Sequence, residues 1–309
     1  MPSKDEASQF FKKFGNTVSS SSTRRSSGEE ATKNRANTGA TPGKDALLTQ
    51  VQQAQAQQAQ KDEKSSSARR SHYTAAGVEK RLADIKLQPK NMSPVDAARH
   101  PSLLPRPVPA VVGRKCLVLD VDETLVHSSY QPVKKYDLHL PLRVNGNICN
   151  VYVAYRPKLR EFLQAMAPLY EVVIFTASVS VYCDPLMNNI DPKGALGTGR
   201  LFREHCSVVN GSYVKDLSLL GRPLDQVCII DNSPVAYLFQ PRNAIPILSW
   251  FDDPADEELM KLVPILQQMA TSRDVYEVLD EYNALVQEQA AAEGEGEKVR
   301  TPTQRSIRR

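Results

Sequence analysis

The segment KCLVLDVDETLVHSS, residues 115–129, drives four apolar residues, Cys116 to Leu119, straight into two aspartates, Asp120 and Asp122. A short apolar run of this kind predicts a strand covered on both faces. Ending it in two carboxylates is costly, because each disfavours the charge of the other. Something positive, or a proton, has to answer them. Two further apolar runs stop in the same manner: EVVIFT (171–176) at Thr176 and QVCIID (226–231) at Asp231.

Between the first two runs lies RPKLREFLQAMAPLY (156–170), with Leu159, Phe162, Leu163 and Met166 at i, i+3, i+4 and i+7. That spacing predicts an amphipathic helix, with Pro157 in its first turn. SVSVYCDPLMNNID (178–191) predicts a second helix, bent or begun afresh near Pro185. ADEELMKLVPILQQMA (255–270) and RDVYEVLDEYNALVQ (273–287) read as two closing helices. Buried strands alternating with helices predict an α/β fold, a Rossmann-like parallel sheet flanked by helices. Ligands of such sheets bind beyond the carboxyl ends of the strands, so Asp120, Thr176 and Asp231 are expected at one edge. Residues 136–155 break the alternation. LHLPLRVNGNICNVYVAY (138–155) alternates around Asn145-Gly146, a hairpin signal, and Pro141 belongs near a sheet edge. This predicts a small inserted antiparallel β element overhanging the site.

Composition divides the 309 residues into three parts. Residues 1–107 are rich in Ser, Gln, Lys and Arg and read as a largely disordered basic arm. Residues 108–287 form the folded domain, and 288–309 a disordered basic tail. Within the arm, KDALLTQVQQAQAQQAQ (44–60) predicts a transient helix. GVEKRLADIKLQ (77–88) sets Val78, Leu82 and Ile85 at helical spacing, able to dock on the folded part. Residues 1–108 hold 18 Lys and Arg against 10 Asp and Glu, while the whole chain is +4. The arm reads as a solvated tail, with no aromatic interleaving to indicate a specific nucleic acid. All five cysteines (116, 149, 183, 206, 228) lie in the folded part, without a CxxC pair, a secretory signal or a run of 18 apolar residues. The expectation is a soluble intracellular monomer of the cytoplasm or nucleus, with no transmembrane segment.

The strand-end residues suggest phosphoryl chemistry. A Mg²⁺ ion would relieve the carboxylates, with Asp120, Asp122 and Asp231 as oxygen ligands and Asn232 as a fourth ligand or a support. These carboxylates need not serve only as ligands: Asp120 can attack phosphorus while Asp122 serves as acid and then base, with Thr176 bonding a phosphate oxygen and Lys215 offsetting its charge. A lone DxD also arises by chance, as a cation site in unrelated folds or as a helix cap.

Six blocks together sharpen the reading: LVLDVDETLVHSS, RPKLREFL, YEVVIFTASVSVYCDPLMNNID, FREHC, YVKDLSLLGRPLDQVCIIDNSP and NAIPILSWFDDPADEELMKLVPIL. Over about 108–285 the chain resembles the small C-terminal-domain phosphatases, the NLI-interacting-factor-like Ser/Thr protein phosphatases of the haloacid dehalogenase superfamily. The resemblance implies Mg²⁺ dependence and an aspartyl-phosphate intermediate. It implies Asp120 as nucleophile, Asp122 as acid/base and Thr176 and Lys215 as phosphate-binding residues. It implies a metal site of Asp120, Asp231, Asn232 and the backbone carbonyl of Asp122. The implied partner is a phosphoserine or phosphothreonine protein, with Tyr130 and the insertion walling a groove for a substrate proline. One departure is notable. Relatives acting on the polymerase tail carry His-Arg where this chain has Val209-Asn210. A phosphatase for a small metabolite and a phosphoprotein-binding scaffold are the competing readings; the first lacks a separate cap domain, and the second is at odds with a full catalytic set.

Other residues have plainer expectations. His127 supports the loop by hydrogen bonding, and His205-Cys206 is a packed or exposed pair rather than a metal site. Cys116 and Cys228 belong to the core. Trp250-Phe251 anchors the closing helix, and Asp252 lies near the edge of the site. Thr41-Pro42, Ser93-Pro94 and Thr301-Pro302 are candidate proline-directed phosphorylation sites.

Overall fold

The structure, a computed structural model, describes residues 74–298 apart from 145, 146, 195 and 198, with side chains described except at 144, 147 and 292–298. The arm up to residue 73 with its transient helix, Thr41-Pro42, the Asn145-Gly146 turn and the tail from 299 lie outside the described residues. In chain order the elements are α1 (Ala75–Leu87), β1 (Cys116–Leu119), β2 (Val126–Ser129), β3 (Leu138–Val144), β4 (Asn147–Tyr155), α2 (Leu159–Met166) and β5 (Glu171–Phe175). There follow α3 (Ser180–Ile190), β6 (Arg200–Leu201), β7 (Ser207–Val209), β8 (Ser212–Val214), β9 (Val227–Asp231), β10 (Ala244–Pro246), α4 (Glu258–Thr271) and α5 (Tyr276–Lys298).

The five-stranded sheet has the order β10-β9-β1-β5-β6, every neighbouring pair parallel. β1 is its centre. Leu117 and Leu119 enter one core with Phe162, Met166, Leu186 and Leu266, while Cys116 and Val118 enter the other with Phe175, Leu217 and Ile229. Alternate residues of a strand face opposite ways, so a strand covered on both sides has to be apolar throughout. Each such side chain contributes roughly 1.5–3 kcal/mol by its burial. That is why the opening segment reads as an unbroken apolar run.

The insertion forms a separate antiparallel sheet, β2-β4-β3. Leu140, Leu142, Val151 and Val153 bury its inner face. β3 is an edge strand, as Pro141 requires. β2 itself was not foreseen as a strand, being short and mostly polar. A further hairpin, β7–β8, turns on Asn210 (φ 50) and Gly211 (φ 80). Two successive left-handed residues make the type I′ turn that Asn-Gly favours.

Two helix expectations need correction. α3 runs unbroken through Pro185, without a restart. Pro157 precedes α2 rather than entering its first turn, because Lys158 (φ 60) occupies the cap.

The packed chain also extends beyond the boundaries drawn at 108 and 287. α1 is capped by Thr74, whose side chain accepts from Gly77 N, and buries Ile85. Arg81 Nε meets Glu288 Oε2 of α5 at 2.7 Å. Met92 N donates to Phe239 O and Leu103 N to Leu219 O, each at 2.8 Å, and Leu104 is buried in the second core. At the far end α5 continues to Lys298.

Candidate active site

Three strand ends in register bring Asp120, Thr176 and Asp231 to one edge, since β1 pairs directly with β5 and β9. All three are buried, as is Lys215, which follows β8. Lys215 Nζ donates to Asp120 Oδ1 and to Asp231 Oδ2, each at 2.6 Å. Thr124 Oγ1 donates to Asp120 Oδ2 at 2.8 Å and to Asn232 Oδ1 at 3.2 Å. Asn232 Nδ2 donates to Ser249 Oγ (2.9 Å), and Ser233 N to Asp231 Oδ1 (2.8 Å).

Asp122 is held by a different group of residues. Ser178 Oγ donates to its Oδ2 at 2.6 Å and Tyr182 OH to its Oδ1 at 2.9 Å, with Thr176 Oγ1 at 3.4 Å from Oδ2. Tyr182 OH also bonds Ser128 Oγ of β2. β1 ends at Leu119, so the two aspartates lie on a loop rather than on a strand face. Their carboxylates have different partners, instead of facing a single ligand side by side. Burial, then the charge of Glu123, pushes the Asp122 carboxyl up to about 6, against the lowering effect of its hydrogen bond from Ser178. Asp231 is pushed up to about 7 by burial and then by Asp120, while Lys215 and Ser233 N pull the other way. For Lys215, burial opposes the charge, but Asp120 and Asp231 outweigh it and raise its pKa. Two buried carboxylates, Asp120 and Asp231, thus share one ammonium while Asp122 has none, and the site is short of positive charge.

This shortage, and an all-oxygen donor set, fit a hard divalent cation such as Mg²⁺. Among the described residues no three His, Cys, Asp or Glu side chains gather as a metal-binding group. The expected set needs only two carboxylates, Asp120 and Asp231, with the Asn232 amide and the Asp122 carbonyl. The Asp122 carboxylate is engaged elsewhere.

The loop carrying the aspartates is fixed from outside. Glu123 takes a left-handed conformation (φ 57), a strained choice for a residue with a Cβ. Its carbonyl accepts from Trp250 N at 2.8 Å. Its carboxylate lies 3.2 Å from His127 Nδ1, and the His127 ring meets Phe251 edge-on at 5.3 Å. His127 therefore supports the loop, as expected. Trp250 anchors the loop directly, a closer role than anchoring a helix. Arg156 is fully buried, pairs with both oxygens of Asp256 (2.6 and 2.8 Å) and donates to Thr124 O at 3.0 Å.

Tyr130 follows β2 and is two-fifths exposed; burial, then the nearby Cys149 and Asp122, pushes its hydroxyl up, with Arg203 pulling the other way. Arg203 donates to Ala177 O at 2.6 Å and covers the Tyr213 ring. His205 Nδ1 accepts from Phe202 N at 2.9 Å, a local cap rather than a metal ligand. Burial pushes the Cys206 thiol up to about 11, away from the thiolate form. Ser178, Tyr182, Ser128 and Arg156 were not singled out from sequence. The available signal was a run of hydroxyls opening the helix after a Thr-ended strand.

The five cysteines carry no disulfide, and among the described residues no helix is long and apolar enough to cross a membrane.

The chain is similar to known phosphatases. The chain is 46% identical over 190 residues to the human CTD small phosphatase-like protein, covering 62% of this chain and 68% of that one. It is 47% identical over 182 residues to human carboxy-terminal domain RNA polymerase II polypeptide A small phosphatase 2, covering 59% and 67%. A solved structure of the fission yeast RNA polymerase II CTD phosphatase Fcp1 is similar at 20% identity and a TM-score of 0.39, covering 60% of this chain and 54% of that one. The family model described as NLI interacting factor-like phosphatase matches residues 115–276. With that span matched, the chain belongs to the NLI interacting factor-like phosphatase family and is a protein phosphatase.

Proposed function

We propose that the chain hydrolyses phosphoserine and phosphothreonine in proteins through an aspartyl phosphate on Asp120. The observation that carries this is the division between the two aspartates. Asp120 is held by an ammonium and a hydroxyl, Asp122 by hydroxyls alone.

In the first step an Asp120 oxygen attacks phosphorus, and the bond from phosphorus to the seryl oxygen breaks. Asp122, protonated, gives its proton to that departing oxygen. In the second step Asp122, now a carboxylate, takes a proton from a water attacking the phosphorus of the acyl phosphate. Inorganic phosphate leaves and Asp120 is regenerated. Lys215 and Thr176 hold the phosphoryl oxygens, and Thr124 keeps the nucleophile oriented. Asp120, Asp231, Asn232 and the Asp122 carbonyl would hold Mg²⁺, which when bound offsets the charge of the phosphoryl group. Tyr130, exposed just beyond β2, would wall a groove for a peptide substrate.

The test is activity on an aryl phosphate and a phosphoserine peptide, before and after chelation. Mg²⁺ restores activity without zinc if the reading holds; full activity after thorough chelation contradicts it.

A further inference from the structure

The chain ahead of β1 carries Ser93-Pro94, which the mechanism does not use. Residues 89–104 form a strap over the turn 217–220 and the loop 236–240. Ser93 Oγ donates to Asp216 Oδ2, Ser93 N donates to Asn91 Oδ1 at 3.0 Å, and Val95 N donates to Ser93 Oγ at 3.1 Å. Asp216 is fully buried and directly follows Lys215. Its Oδ1 accepts from Ser218 N (3.0 Å), Ser218 Oγ (2.6 Å) and Gln240 Nε2 (2.9 Å).

The loop 236–240 holds the strap and the catalytic lysine together. Gln240 Nε2 also donates to Asn91 Oδ1 at 2.7 Å, and Gln240 Oε1 accepts from Leu217 N at 3.0 Å. Phe239 O accepts from Met92 N at 2.8 Å, while Ala236 O accepts from Lys215 N at 2.7 Å.

The buried Asp216 carboxylate tolerates the strap because Ser93 brings it a donor. A phosphate on the same oxygen has no donor to offer and carries a charge of roughly −1.5 to −2. Against Asp216 it would exchange a hydrogen bond for like-charge repulsion in a buried place. Ser93 is half-buried and Pro94 exposed, so a modest lifting of the strap presents the hydroxyl.

We propose that Ser93 is a phosphorylation site for a proline-directed Ser/Thr kinase, and that its phosphate unseats the strap, loosens Lys215–Leu220 and lowers turnover. The claim of lowered turnover rests on the reading of Lys215 given above. In the kinase, Ser93 Oγ attacks the γ-phosphorus of ATP. The new O–P bond forms as the bond from the γ-phosphorus to the bridging oxygen breaks, ADP leaves with the electron pair, and the hydroxyl proton passes to the kinase's base.

The test uses the full chain. An Asp120→Asn version, unable to remove its own phosphate, is incubated with a proline-directed kinase and ATP, then followed by mass spectrometry and hydrogen exchange. Phosphate is expected on Ser93, with exchange over 89–104 and 215–220 rising about tenfold or more. In the otherwise unaltered chain, Ser93→Glu lowers aryl phosphatase activity about tenfold, while Ser93→Thr, which keeps the donor, stays within about twofold. The proposal is overturned if the folded chain stays unmodified while a peptide of residues 86–100 is phosphorylated. It is also overturned if phosphate enters without a change in exchange, or if Ser93→Glu is fully active. An unaltered chain inert toward aryl phosphate would sink the phosphatase mechanism, yet leave the exchange result readable.

Discussion

Lys215 places its ammonium between two buried carboxylates, Asp120 and Asp231. Removing one partner of a buried ion pair leaves an uncompensated charge, which costs about 3–5 kcal/mol. Lys215→Met is therefore expected to lower unfolding stability by that amount in urea, and adding Mg²⁺ should recover part of the loss. A cost under about 1 kcal/mol would mean that the carboxylates do not depend on this ammonium. Asp122 makes a different prediction, because its role lies with the leaving group. Asp122→Asn is expected to be severely impaired on phosphoserine, where the departing alkoxide needs a proton, and less so on aryl phosphates. Equal losses on both substrates would remove Asp122 as the general acid.

At the scale of elements, the strap and α1 decide where the functional unit begins. A chain starting at residue 74 should keep its melting temperature. One starting at 108 loses buried Ile85 and Leu104, the Arg81–Glu288 pair and the Arg242 bond to Gln88 O, and should melt several degrees lower. Equal melting temperatures would make the strap dispensable. The same elements show what could be read from sequence. β1, β5 and β9 were legible because burial on both faces demands continuous apolar runs ending at a polar residue. α2 was legible from its stripe of Leu159, Phe162, Leu163 and Met166. The strap was not, since its ties are mostly backbone or short polar contacts, such as Met92 N to Phe239 O, that leave no periodicity. β2 failed for a similar reason: its pairing with β4 depends on partners far away in sequence. Asp120, Asp231 and Lys215 could be anticipated, whereas Ser178 and Tyr182 emerged only once α3 was placed beside the Asp122 loop.

At the scale of the molecule the open question is which phosphoprotein the site accepts. Relatives carry the words RNA polymerase II in their names, but this chain has Val209-Asn210 where the family resemblance implies His-Arg, and Asn210 serves its hairpin turn at φ 50. Losing a charge-assisted contact costs roughly 1.5–3 kcal/mol, about ten- to a hundredfold in kcat/KM. Polymerase-tail phosphopeptides should therefore be poor substrates beside an aryl phosphate. The pair Val209→His with Asn210→Arg should improve the tail peptide selectively, while costing about 1 kcal/mol of stability through the left-handed turn. Strong preference of the unaltered chain for the tail peptide would show that the groove alone supplies recognition.

The measurement that reaches the central claim most directly is a rapid acid quench of the Asp122→Asn enzyme during turnover of a radiolabelled phosphate ester, followed by peptide mapping. The mechanism predicts an acyl phosphate, labile to hydroxylamine, on the peptide holding Asp120, and none when Asp120→Asn is added. Turnover with no label on that peptide, at quench times shorter than one catalytic cycle, would contradict a covalent intermediate.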